Sequence, residues 1–107
     1  MTKPLEKKIQ RDIIKYLQEQ GIFHERINSG AVMVKQGGIR YKLTLATKGF
    51  PDILILKDGR FIGCEVKKHD TKQNKDQLQM EQSILENGGE YFVARSIDDV
   101  KEYLKQK

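Results

Sequence analysis

Residues 51–67 read Pro51-Asp52-Ile53-Leu54-Ile55-Leu56-Lys57-Asp58-Gly59-Arg60-Phe61-Ile62-Gly63-Cys64-Glu65-Val66-Lys67. Four consecutive apolar residues, Ile53 to Leu56, follow Pro51-Asp52 and have the length of a buried strand. Asp58-Gly59 is the dipeptide of a tight hairpin turn, and the residues after it are again strand formers. The reading predicts antiparallel strands over 52–56 and 61–67. Side chains on a strand alternate faces, so Glu65 and Lys67 point one way and Cys64 and Val66 the other. Chain reversal at the turn sets Asp52, at the head of the first strand, facing Glu65 at one end of the hairpin.

Two carboxylates and an amine in that position suit a definite chemistry. Hard oxygen ligands on a rigid sheet hold Mg²⁺ or Mn²⁺, which takes one or two carboxylates and fills its shell with water and phosphate oxygens. Such an ion acidifies a bound water and offsets charge on a phosphodiester. Lys67 beside it can orient or deprotonate the attacking water and stabilise developing negative charge. Each piece also has a plainer reading. Pro51-Asp52 suits a simple turn, and Glu65-Val66-Lys67 suits the solvated face of an edge strand with a cross-strand ion pair. The two pieces at hairpin spacing favour the site.

Working outward, residues 4 to about 20 predict a helix with Leu5, Ile9, Ile13, Tyr16 and Leu17 on one arc and Lys7, Lys8, Arg11, Lys15 and Gln18 on the other side. Thr2 is its candidate N-cap and Gly21 its stop. Glu6 falls inside the apolar arc, so it can reach the carboxylate site; its plainer role is a first-turn charge on the helix dipole. Asn28-Ser29-Gly30 is a turn signal. Residues 31–35 and 39–45 predict a hairpin about Gly37-Gly38. Downstream come a polar loop, a helix over 76–87 anchored by Leu78, Ile84 and Leu85, a strand over 90–95, and a last helix capped by Ser96. The expected architecture is a single α/β domain over residues 1–107, a central mixed sheet flanked by helices.

The chain has 107 residues, 37% hydrophobic and 33% charged, a globular composition with no apolar run long enough for a membrane span. One cysteine, Cys64, excludes an intrachain disulfide and a cysteine-based zinc cluster, and no apolar leader opens the sequence. A cytoplasmic setting is the expectation. Twenty Lys and Arg residues and a net charge of +5 suit a polyanionic partner. Lys35, Arg40, Lys42, Lys48 and Lys68 cluster on the first hairpin and the loops beside the carboxylates, where they serve as phosphate contacts or solubilising charges. His24 and His69 lack a ligand partner at useful spacing, and Cys64 is a small core residue.

Lys48-Gly49-Phe50-Pro51-Asp52, then Phe61 to Lys67, then Asp76-Gln77-Leu78 with Gln82, resemble the PD-(D/E)XK nuclease superfamily and, within it, the VRR-NUC family in its stand-alone phage and bacterial form. The resemblance covers nearly the whole chain. It implies a restriction-endonuclease-like core and a Mg²⁺- or Mn²⁺-dependent endonuclease. Asp52, Glu65, Lys67 and Gln82 would be catalytic. Glu6, Asp52, Glu65 and the Val66 carbonyl would hold the metal, and Asn28 and Ser29 would join the basic residues on DNA. It further implies branched DNA such as four-way (Holliday) junctions as substrate, a homodimer, and a bacterial or phage-infected host cell. Gln82 also suits an ordinary helix-face amide. The rival readings are a non-catalytic nucleic-acid-binding module of the same fold and a small interaction protein.

Overall fold

The computed structural model describes residues 3–27, 31–44 and 47–106, with the backbone alone at 3–4, 31–34 and 41–44. Its elements in chain order are α1 (Lys3–Glu19), β1 (Phe23–Arg26), β2 (Ala31–Gln36), β3 (Ile39–Thr44), β4 (Ile53–Lys57), β5 (Arg60–Val66), α2 (Lys75–Glu86), β6 (Glu90–Ala94) and α3 (Ile97–Lys105). The expected Thr2 cap and the Asn28-Ser29-Gly30 turn lie outside the described residues.

The central sheet is mixed, in the order β1-β4-β5-β6. The β4–β5 hairpin forms as expected, with Ile53 opposite Cys64 and Lys57 opposite Arg60. Its two-residue turn requires positive φ at both positions, and Asp58 (51°) and Gly59 (77°) supply it. β6 joins β5 in parallel, through the crossover made by α2. Strand β1 is absent from the sequence reading. Phe-His-Glu-Arg has no apolar alternation, and its strand form rests on antiparallel pairing with β4, Phe23 against Leu56 through Arg26 against Ile53. A last hydrogen bond from the Ile27 N–H to the Asp52 carbonyl, 2.7 Å, extends that pairing to the head of β4. The β2–β3 hairpin forms as expected but makes a two-stranded sheet of its own.

One face of the central sheet carries Ile53 and Ile55, Ile62, Cys64 and Val66, and Ala94; Ile13 and Leu17 of α1 and Val100 of α3 cover it. Each such fully buried aliphatic side chain contributes roughly 1.5–3 kcal/mol. Leu5 of the same predicted arc remains exposed. The opposite face carries Glu65 and Tyr91 and packs against α2, of which only Ile84 is buried; the expected anchors Leu78 and Leu85 are exposed. The α2 N-terminus is a reciprocal capping box, Asn74 accepting from the Gln77 N–H and the Gln77 side chain accepting from the Asn74 N–H. Ser96 takes the N-cap position of α3 but its hydroxyl caps nothing; the Asp99 carboxylate accepts instead from the Arg95 N–H at 2.8 Å. At the far end of the sheet Arg60 grips Glu90 with two bonds of 2.8 and 2.9 Å, and the Tyr103 hydroxyl donates to Glu90 at 2.7 Å while its ring stacks on Phe92. These partners hold the Glu90 carboxyl down to about 2.

Helix α2 approaches the segment before β4 so closely that position 49 admits no side chain. Gly49 has φ +84°, and a Cβ there would collide with the Asp76 carbonyl in the first turn of α2. Gly49→Ala is expected to lose about 1–3 kcal/mol of stability in chemical denaturation. Gly59→Ala, where a Cβ would meet nothing within 4 Å and the positive φ is the whole cost, should lose less. Equal losses would contradict the close approach.

Candidate active site

Asp52, Glu65 and Lys67 come together at the end of the sheet where β4 begins and β5 ends. β5 is a central strand, so the solvated-edge reading of Glu65-Val66-Lys67 does not hold: Glu65 is 2% exposed and Lys67 8%. Four bonds fix the geometry. Asp52 is tied to β1 by its carbonyl, as above, and its Oδ2 accepts from the Val66 N–H at 2.8 Å across the hairpin. The Lys67 N–H donates to the Ala94 carbonyl at 3.0 Å, which carries the β5 end onto β6. Glu65 Oε2 accepts from the Gln77 side chain at 2.8 Å.

The electrostatics of the pair are those of a site short of positive charge. Glu65 Oε1 is buried and receives no hydrogen bond from the protein. Beside Glu65 also stands the Asp52 carboxyl, itself an acceptor, so a hydrogen bond between the two carboxyls needs a shared proton. Burial, with Asp52 beside it, pushes the Glu65 carboxyl up to about 8. Burial also raises Asp52, against the lowering effect of the Val66 N–H. Lys67 favours the ionised form of both, but only in part. Two desolvated carboxylates with an unsatisfied oxygen between them fit a divalent cation, which removes the cost of bringing them together.

Among the described residues no three His, Cys, Asp or Glu side chains form a ready ligand group. Two carboxylates, with oxygen donors from backbone and water, would be a donor set that suits a hard cation such as Mg²⁺ or Mn²⁺. Glu6 shares a shallow hollow of about 160 Å³ with Asp52, Val66 and Arg26, and its Oε2 accepts from the Lys68 N–H at 3.2 Å.

Gln82 is a correction. It lies on the exposed side of α2, where its side chain donates to Glu86 one turn along at 3.0 Å. The glutamine that faces the carboxylates is Gln77, five positions or about 500° of helical rotation earlier. The capping box at Asn74 was the signal that could have marked it: the helix begins one residue earlier than the apolar pattern suggested, and its first turn abuts the sheet. Arg95 also went unread. Its Nη1 donates to the carbonyls of Lys68, Thr71 and, at a longer 3.3 Å, His69, which clamps the loop leaving Lys67. Of the expected nucleic-acid contacts, Lys35 and Arg40 are exposed cross-strand neighbours at the tip of the β2–β3 hairpin. Lys48 is exposed in the loop before Pro51, and Lys68 is half-buried beside Glu6. Asn28, Ser29 and the Lys42 side chain lie outside the described residues.

No known family profile matches the chain. A solved structure described as a VRR_NUC domain superposes with a TM-score of 0.66 over 95% of this chain and 96% of that one, at 20% sequence identity. At that identity the likeness establishes the fold, a restriction-endonuclease-like one. Lactate utilization protein B 1 of Bacillus mycoides (strain KBAB4) is 31% identical over 94 residues, taking in 78% of this chain and 19% of that protein. The chain thus spans about a fifth of the length of this curated relative.

Gln77 closes the α2 cap and satisfies a buried carboxylate, whereas Gln82 does neither. Gln77→Ala is expected to lose about 1–3 kcal/mol in denaturant titration, and Gln82→Ala to stay within about 0.5 kcal/mol of the unaltered protein. The reverse ranking would return Gln82 to the site.

Proposed function

We propose that residues 1–107 form one nuclease domain, a Mg²⁺- or Mn²⁺-dependent DNA endonuclease. The observation that carries the reading is the pairing of half-buried Asp52 with buried Glu65, with an orphaned carboxylate oxygen and the Lys67 ammonium beside it. A pure binding module has no use for two carboxylates at a phosphate, since they repel it. The superposition on a VRR_NUC domain supports the same reading, as does the positive charge. The match to part of a lactate utilization protein supplies no competing chemistry for these side chains.

Asp52 and Glu65 would hold the cation, with the Val66 carbonyl and, through water, Glu6 completing its surroundings. When bound, the ion supplies an acidified water and neutralises charge on the phosphodiester. The chain's own residues do the rest. The Val66 N–H and Gln77 fix one oxygen of each carboxylate, leaving Glu65 Oε1 without a partner from the protein. Lys67 would place positive charge where the phosphate gains negative charge, and the bond from its N–H to Ala94 fixes the backbone that carries it. Arg95 fixes the loop behind it. The finer reading is a homodimer that pairs two such sites on branched DNA, four-way junctions above all, in the cytoplasm of a bacterial or phage-infected cell. No helix of the described residues is long and apolar enough to cross a membrane.

Two measurements test the metal site. Mg²⁺ or Mn²⁺ is expected to raise the thermal midpoint of the wild-type protein and to leave those of Asp52→Asn and Glu65→Gln unmoved. In a cleavage panel of single-stranded, duplex, flap and four-way-junction DNA, wild type should cut the junction best, with product pairs nicked on both strands. Asp52→Ala and Glu65→Ala should cut nothing while still binding. Wild-type cleavage by either would sink the assignment.

Lys67 is tested separately. Lys67→Ala should lower turnover on the order of 10²–10³-fold, with a much smaller change in DNA affinity, because its charge matters most in the transition state. A loss confined to affinity would make Lys67 a phosphate anchor only.

A further inference from the structure

The hollow at Asp52 does not end there. Arg26, which lines it, also lines a larger open groove of about 730 Å³ between α1 and β1. The register explains why one arginine serves both. Arg26 pairs with Ile53 and His24 with Ile55, and both of those isoleucines face the α1 side of the sheet. His24 and Arg26 therefore stand on that same face, beside the helix. From the helix side the groove receives Arg11 and Lys15, and Lys7 lines the hollow at Asp52. Residues 7, 11 and 15 recur every four positions, so the three cations form one row, roughly 6 Å apart along the axis.

Among the described residues, Lys7, Arg11, Lys15 and Arg26 have no hydrogen-bond or ion-pair partner; the carboxylates in the groove are Asp12 and Glu25. Asp12 is held by Lys8 at 3.2 Å. Four exposed, unpaired cations running from a carboxylate site, against one unpaired carboxylate, leave a net positive track free to meet a polyanion. We infer that the α1–β1 groove binds the phosphate backbone of the DNA strand leading away from the scissile bond, with Arg26 at the junction and Arg11 and Lys15 further out. This rests on the reading of Asp52 and Glu65 as the phosphodiester site. It adds a binding track on the face of α1 that the sequence marks only as its polar side.

The test is the salt dependence of DNA binding without divalent ions, read by fluorescence anisotropy on a duplex and a four-way junction. Arg11→Gln/Lys15→Gln is compared with Lys57→Gln/Lys105→Gln, which removes the same two charges at the far β4–β5 turn and the end of α3. The groove variant is expected to bind about tenfold or more weakly near 0.15 M salt, with the slope of log K against log salt reduced by about 2, one unit per lost phosphate contact. The control should keep most of both. Equal losses in the two variants, or wild-type binding by the groove variant, overturn the proposal. If the double variant melts early, Lys15→Gln alone should reduce the slope by about 1, and an unchanged slope overturns it. Cleavage with Mg²⁺ forms a separate arm. Groove-dependent binding without wild-type cleavage removes the nuclease reading and leaves the track standing. Cleavage with groove-independent binding removes the track alone.

Discussion

The register of β4 on β5 places a half-buried carboxylate, Asp52, beside a buried one, Glu65, and most of the structure follows from having to hold them there. Asp52 and Glu65 repel each other, and burial raises both. A protein of this size has only about 5–15 kcal/mol of net stability to set against such a cost. The compensation is local. Each carboxylate has one oxygen held, by the Val66 N–H or by Gln77, and Lys67 stands nearby. What remains unsatisfied is the part of the site that suits a cation.

That arrangement assigns jobs to elements that otherwise look like filler. β1 is short and polar, yet without it β4 would be an edge strand and Asp52 would lose the bond that fixes its backbone. Gly49 lets α2 come down onto the segment before Asp52, and this close approach is what puts Gln77 within reach of Glu65. Gly63, behind the pair, leaves room for Pro51 to pack against β5, with a Cβ there meeting the proline ring at 2.6 Å. Arg95, on the segment after β6, clamps the loop after Lys67. The carboxylate site is made by few side chains, and the precision of their placement by many.

The rest of the surface divides by function. The end of the sheet with the Asp58-Gly59 turn is held by the Arg60, Glu90 and Tyr103 network, in which the charges satisfy one another. The end with Asp52 is different: its cations on α1 and β1 are unpaired, and the carboxylates they approach are desolvated. In the proposed reading a charged partner would answer both imbalances, a divalent ion at the carboxylates and phosphates along the cations.

The sequence by itself determined the hairpin and its turn, because alternation and the Asp-Gly dipeptide are local, and two antiparallel strands joined by two residues have only one way to pair. From that alone Asp52, Glu65 and Lys67 follow as a group. It determined the buried face of α1 at Ile13 and Leu17 through helical periodicity. Tertiary structure decided what depends on contacts distant in the chain. Phe23–Arg26 is a strand because β4 needs a neighbour, not because of its composition. Leu78 and Leu85 are exposed because α2 turns a narrower face to the sheet than its apolar residues suggested. The choice of Gln77 over Gln82 is a matter of helix phase, set by where Asn74 caps α2 and where Gly49 lets it dock. Both glutamines suit an amide role by residue type; only the packing of α2 on the strand selects the one that meets Glu65, since a five-residue shift carries a side chain through more than a full turn of the helix.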